Sequence, residues 1–245
     1  MGEIHRDVVP PFLRRVGVET GFIEASAVEL PAMSDDIEPP VEPQPLAIGV
    51  LISGSGSNLQ AIIDAIADGS LDARIAVVIS NKEAAYGLER ARKAGIPATH
   101  IDPAAGGDYR AYNHAIREAL ERHGVELVVM AGYMRLLGTE VLRAFPGAVI
   151  NLHPALLPAF PGASAIRDAF EYGVKVTGVT VHFAEEEFDR GPILCQEAVR
   201  IDETDTLETL EKNIHVVEHR LLPEAIGLVA AARLRFEGRT IHISE

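Results

Sequence analysis

From Leu46 onward, short apolar runs alternate with helically spaced segments. LAIGVLIS (46–53) is rich in branched residues and is followed at once by glycines. Residues 57–68 place Leu59, Ile62, Ile63 and Ile66 on one helical face. ARIAVVIS (73–80) reads as a second buried strand, and a helix through Leu88 to Ala94 stops at Gly95 as a C-cap signal. PATHID (97–102) reads as a strand, and 109–123 as a helix with Tyr112, Ile116 and Leu120 on one side. ELVVMAG (126–132) and GAVIN (147–151) are the next strands, with a short helix near 139–144 between them. Strands that alternate with helices of 10–15 residues predict an α/β fold with a parallel sheet. The strands are continuously apolar, which predicts helices on both faces. Later, VTGVTVHFA (176–184) and GPILCQEAVRI (191–201) have little helical sequence between them. They predict an antiparallel pair added to the parallel sheet. Residues 206–233 carry one long helical periodicity, which Pro223 is expected to kink or divide.

The first 45 residues break this pattern. Ser34 to Pro45 reads SDDIEPPVEPQP, where proline removes backbone donors and acids resist burial. We expect an N-terminal extension and proline- and acid-rich linker over 1–45, disordered, and a catalytic domain over 46–245. Met33 is a candidate alternative start. The chain has 245 residues, 47% of them apolar, so a full core is within reach and global disorder is excluded. Its formal charge is −14. Residues 1–45 hold nine acids and three bases, a net of −6, which leaves −8 on the rest. Such a chain repels phosphate backbones on average, so nucleic acid is not an expected partner, although one small phosphorylated ligand at a local site is compatible. One cysteine, Cys195, excludes an internal disulfide and any cysteine-based zinc site. No apolar run approaches the roughly 20 residues that span a membrane, and the N-terminus lacks a secretory apolar region. The expectation is a soluble cytoplasmic protein without a membrane partner.

Three stretches carry chemistry. Ser53-Gly54-Ser55-Gly56-Ser57-Asn58 joins the first strand to the first helix. Glycines allow close backbone approach, and a helix N-terminus offers free N–H groups, a combination suited to a phosphate monoester. No Lys follows the second glycine, so it is not a P-loop, and Leu59 stands where a dinucleotide fingerprint needs its third glycine. A plain turn capped by Ser57 accounts for the same residues. Asn151-Leu152-His153-Pro154 follows a buried strand, where open α/β sheets bind ligands. Alternation puts Asn151 and His153 on one side. Asn can donate to a developing oxyanion and His can carry a proton, while a capping Asn and a structural His are the bland alternative. Phe188-Asp189-Arg190-Gly191-Pro192 is a turn in which Asp189 either bonds its own backbone or orients a histidine. His182, on the preceding strand, is either a supporting partner of that site or an ordinary strand histidine.

Taken together these stretches resemble the phosphoribosylglycinamide formyltransferase family, folate-dependent enzymes of purine synthesis in the formyltransferase superfamily. The matches are VLISGSGSNLQAIIDA (50–65), ISNKEAAYGLERARKAGI (79–96), MAGYMRLL (130–137), INLHPALLPAFPGA (150–163), VTVHF (179–183), FDRGPIL (188–194) and VVEHRLLPEAI (216–226). They run in unbroken order over roughly 46–240. The resemblance implies a doubly wound, mostly parallel sheet of the formyltransferase type. It implies formyl transfer from 10-formyltetrahydrofolate to the amine of glycinamide ribonucleotide, with Asn151, His153 and Asp189 as the catalytic trio. It implies no metal and no covalent enzyme intermediate, so no nucleophilic role for Cys195. Gly56, Ser57 and Asn58 match the loop for the ribonucleotide phosphate, and Glu218 the carboxylate that holds the ribose. Met134, Arg135, Leu136 and Leu137 match the segment lining the folate pocket.

The chain departs from the pattern in places. Ala163-Ser164-Ala165-Ile166 stands where a histidine is frequent, and Asp108-Tyr109-Arg110 where some members place an Arg near the folate glutamate tail. His215 occupies a position that other members give to a polar or basic residue near the phosphate. Formyltetrahydrofolate deformylase is the nearest competing reading. It normally carries a regulatory domain in front, for which about 45 residues are too few. Methionyl-tRNA formyltransferase adds a C-terminal domain and a basic surface, and this chain is acidic and ends soon after its last helix. A catalytically silent folate- or nucleotide-binding module is a further reading. The resemblance is compatible with a monomer or a homodimer.

Overall fold

The computed structural model describes residues 44–104 and 107–244. The expected extension therefore lies outside the described residues up to position 43, Met33 included. The first apolar run forms β1 (Leu46–Ile52), buried at every position. It is central because it is apolar on both faces. β2 (Ala73–Ser80) pairs with it in parallel on one side, and β4 (Leu127–Met130) on the other. β3 (Ala98–His100) extends the sheet beyond β2, and β5 (Val149–His153) extends it beyond β4, both parallel. The expected late pair joins the same sheet. β6 (Val176–Phe183) runs antiparallel to β5, and β7 (Ile193–Arg200) antiparallel to β6. The order is β3-β2-β1-β4-β5-β6-β7.

Helices α1 (Ser57–Ala67), α2 (Tyr86–Lys93), α3 (Tyr109–Arg122) and α4 (Thr139–Ala144) fall where the periodicity puts them. Gly95 follows α2 with a φ of 71°, the left-handed conformation that ends a helix. α5 (Ala165–Tyr172) was not legible: its buried face is only Ala165 and Ala169, one turn apart, behind a proline- and glycine-rich loop.

α6 (Leu207–Ala230) rules out one of the two outcomes expected at Pro223, a divided helix. It is one helix of 24 residues with Pro223 inside it and is not divided. An interior proline costs about 3 kcal/mol. Leu221, Leu222 and Ile226 are buried around it, at about 1.5–3 kcal/mol each, so burial against the sheet outweighs the lost backbone bond. Its start is fixed by a reciprocal cap, in which Thr209 N donates to Thr206 Oγ1 and Thr206 N to Thr209 Oγ1. After α6 comes a separate hairpin, β8 (Leu234–Glu237) with β9 (Thr240–Ile243), which the helical reading ending at 233 did not reach. No helix among the described residues is long and apolar enough to cross a membrane.

Candidate active site

From β1 the chain proceeds outward one way through β2 and β3, then returns to β4 and β5 on the other side. Loops leaving the carboxyl ends of β1 and β4 therefore diverge, and a crevice opens between them. The loop after β1 lines a cleft of about 460 Å³ together with Gly132, Met134, Lys82, Arg167, His215 and Glu218. At its floor, α1 begins. Gly56 holds φ 70°, and a Cβ there would stand 2.6 Å from the Cα of Gly87. Only glycine fits both the backbone and the contact. No side chain caps α1, so Ser57 is not the cap that the plain-turn reading assigned to it. The uncapped first-turn N–H groups make the positive end of the helix available to an anion. Arg90 braces the loop from α2, its Nε donating to the Ser55 carbonyl at 2.9 Å and its guanidinium to Gln60 Oε1 at 3.0 Å.

The opposite wall is α6. Glu218, 4% exposed, receives Asn58 Nδ2 at 3.0 Å on the same oxygen that faces His215 Nδ1 at 2.8 Å. That hydrogen bond raises the His215 pKa above its ordinary 6.5. Partial burial opposes the shift, and the charges of Glu218 and Glu211 add to it. Gly56, Ser57, Asn58 and Glu218, far apart in sequence, thus line one cleft.

β5 carries the predicted pair further along than expected, since it extends through His153 instead of ending at Asn151. Asn151 lies opposite His182 in the β5–β6 register. His182 Nδ1 donates to the Phe183 carbonyl at 2.9 Å, so its Nε2 lone pair accepts from Asn151 Nδ2 at 3.1 Å. This fixes the amide and leaves its second N–H free, on a side chain that lines the notch beside Asp189. His153 is 3% exposed, and its Nε2 donates to the Phe160 carbonyl at 2.8 Å. Its Nδ1 faces Asp189 Oδ2 at 3.6 Å, a contact that becomes an ion pair when Nδ1 is protonated.

Asp189, 7% exposed, sits at φ 53° on the turn between β6 and β7. Its Oδ2 accepts the Gly162 N–H at 2.9 Å, while Oδ1 lies 3.7 Å from His182 Nε2 and has no hydrogen-bond partner among the described residues. Burial pushes its pKa up, but the net direction is down. The His182 ring, the Gly162 N–H and the His153 charge together outweigh desolvation. At 3.7 Å, and with its Nε2 lone pair already accepting from Asn151, His182 makes no hydrogen bond to the carboxylate, and the Gly162 N–H is the short bond that Asp189 accepts. Gly191 anchors the turn, because a Cβ there would meet the Phe183 carbonyl at 1.7 Å.

Beside Asn151, His182 and Asp189 is a notch of about 30 Å³ with Leu136, Leu137, Leu142 and Phe188 on its apolar walls and Glu185 and Glu187 also lining it. The segment after β4 is thus split between two places. Leu136 and Leu137 face the notch, Met134 lines the larger cleft, and Arg135 lies over the Tyr112 ring at 5.4 Å. Ser164 also lines the cleft, and Arg110 lies in a separate groove with Arg117 and Arg143. Cys195 is away from both, its thiol pushed up to about 12 by burial.

Several contributors were not singled out from sequence. The Phe160 carbonyl and Gly162 N–H hold the His–Asp pair, and backbone groups leave no side-chain signature. Ser53, already part of the first stretch, has a bracing role that its motif did not signal, accepting the Met134 N–H at 2.8 Å and donating to Asn81 at 2.7 Å. Lys82 and Arg167 bring cations to the cleft, and only their place in the fold reveals it.

Residues 46–226 match the model of the family described as Formyl transferase. The phosphoribosylglycinamide formyltransferase of Bacillus subtilis (strain 168) is 46% identical over 177 residues, 72% of this chain and 91% of that protein. The trifunctional purine biosynthetic protein adenosine-3 of Bos taurus is 42% identical over 230 residues, 93% of this chain but 23% of that longer protein. The crystal structure of glycinamide ribonucleotide transformylase 1 from Symbiobacterium toebii superposes with a TM-score of 0.82 at 51% identity, covering 86% of this chain and all of that one. The parallel sheet with its antiparallel edge, the loops at its switch point and these likenesses agree, and the chain belongs to the formyl transferase family.

Proposed function

We propose that residues 46–245 transfer the formyl group of 10-formyltetrahydrofolate to the amine of glycinamide ribonucleotide, giving formylglycinamide ribonucleotide and tetrahydrofolate. The observation that carries this reading is that Asn151 and Asp189 line the notch beside Leu136 and Leu137, with His153 3.6 Å from Asp189 and a cleft suited to a phosphate formed by the loops after β1 and β4. The uncapped N-terminus of α1, with Gly56, Ser57 and Asn58, takes the phosphate, and Glu218 takes the ribose hydroxyls. The apolar faces of Leu136 and Leu137 suit a flat heterocycle. A bicyclic ring needs far more than 30 Å³, so Leu136 and Phe188, both about half exposed, move aside when it binds.

In the reaction the amine nitrogen attacks the formyl carbon and a C–N bond forms. The free N–H of Asn151 and the positive charge of protonated His153 stabilise the tetrahedral oxyanion. Asp189 Oδ2 supports the cation on His153. Its Oδ1, buried and without a hydrogen-bond partner among the described residues, is suited to hold a water that carries the proton from the attacking amine to the folate nitrogen. The bond to that nitrogen then breaks and tetrahydrofolate leaves. His182 keeps the Asn151 amide turned toward the oxyanion. No step uses Cys195.

The test supplies 10-formyltetrahydrofolate with and without glycinamide ribonucleotide and follows tetrahydrofolate. Transfer gives release only with the amine. Release without it means hydrolysis, and no release in either case means a binding module; both outcomes reject the reading.

A further inference from the structure

The C-terminal hairpin touches the site at two points, although none of its residues lines either cavity. Its two-residue turn is Gly238-Arg239, and the Arg239 guanidinium donates to the backbone carbonyl of Arg190, the residue after Asp189. Its first strand places the Phe236 ring edge-on against Phe183, centroids 5.1 Å apart and planes at 65°. Phe183 is the residue whose carbonyl holds His182 Nδ1 and against which Gly191 is packed. The hairpin is itself seated, since Leu234 is buried in the core and Ile241 packs against it.

The Asp189 turn is therefore held at three points: the Gly162 N–H on the carboxylate, the Arg190 carbonyl held by Arg239, and the close packing of Gly191 on the Phe183 carbonyl. The hairpin reaches the second directly and the third through the Phe236 ring on Phe183. The remaining gaps, 3.6 Å to His153 and 3.7 Å to His182, are wide enough that a small displacement of the turn changes both. We propose that the hairpin Leu234–Ile243 is the positioning element of the Asp189 turn, with Arg239 and Phe236 acting as positioning residues that set the distance from the carboxylate to His153 and His182. This rests on the reading of Asp189 as a working group of formyl transfer. Neither Arg239 nor Phe236 touches a substrate, so their effect falls on turnover and not on binding.

The experiment compares Arg239→Ala, Arg239→Lys, Phe236→Ala and Asp189→Asn in the full chain, with kcat, both KM values, the pH profile of kcat and the melting temperature. Arg239→Ala and Phe236→Ala are expected to lower kcat about tenfold or more, the scale of a sub-ångström to 1 Å misplacement, with each KM within about twofold. Loosening the turn weakens the contacts that hold the Asp189 pKa down, so the acid limb of kcat moves to higher pH. Lysine can still donate to the Arg190 carbonyl, so Arg239→Lys recovers most of the turnover. A hairpin with only a structural role gives a lower melting temperature while kcat per folded enzyme and the acid limb stay in place. That result overturns the proposal, provided Asp189→Asn is inactive. If Asp189→Asn retains turnover, the reading of the site falls and the proposal falls with it.

Discussion

His153 and Asp189 each make one firm backbone hydrogen bond and face each other across a looser gap. A pair arranged this way is oriented by the main chain and coupled by charge. His153→Ala and Asp189→Asn are each expected to lower kcat by about 10²–10⁴-fold, the usual range for a lost acid–base group, with the circular dichroism spectrum unchanged. Turnover near the wild-type value in either would reject its role. His215 offers a second measurement. Its pKa is raised by Glu218, so its contribution to stability is complete below 6.5 and is lost as pH rises through the folded value. His215→Gln should therefore lose less melting temperature than wild type between about pH 5.5 and 8.5. The side chain is half exposed, which keeps the difference small. At this scale the sequence made Asn151, His153 and Asp189 visible through their motifs. It hid the Phe160 carbonyl and the Gly162 N–H, because any residue type can supply a main-chain group.

The elements that were legible are those with strong periodicity and deep burial. β1 and β2 read as continuous apolar runs because both faces are covered, and α3 read from Tyr112, Ile116 and Leu120 on one stripe. α5 and the C-terminal hairpin were not legible for the opposite reason. Two alanines make a weak stripe, and β8 and β9 are exposed along most of their length. Pro223 does not divide α6, because its local cost is visible in sequence and the burial that offsets it is not. The β1–α1 junction gives the prediction at this scale. Left-handed backbone alone costs a non-glycine residue about 1–2 kcal/mol. At Gly56 the added Cβ would also press on Gly87, which is backbone and cannot swing away. Gly56→Ala should lower stability by about 2–4 kcal/mol in urea unfolding. It should also raise KM for the ribonucleotide more than KM for the folate.

At the scale of the whole molecule, the anionic substrates of the proposed reaction meet a chain of net charge −14, so long-range repulsion must be outweighed locally. Lys82, Arg167, His215 and the start of α1 supply that local field. Because residues 1–43 contain all nine acids and three bases of the extension, removing them changes the net charge to −8. At low ionic strength the shortened chain should show a higher kcat/KM for the ribonucleotide than the full chain. The two should converge as salt approaches about 0.15 M, where the screening length is about 8 Å. A gap that persists at high salt would show that charge is not the cause. The segment from Gly132 to Leu137 has a larger consequence still. It is tied to Ser53 through the Met134 N–H, and to Tyr109 through the Leu136 carbonyl, and it forms a wall of both cavities at once. A party wall cannot be moved for one tenant alone. Substitutions there should combine non-additively with substitutions in either cavity, so the preferences for the two substrates are bound to change together and not one by one.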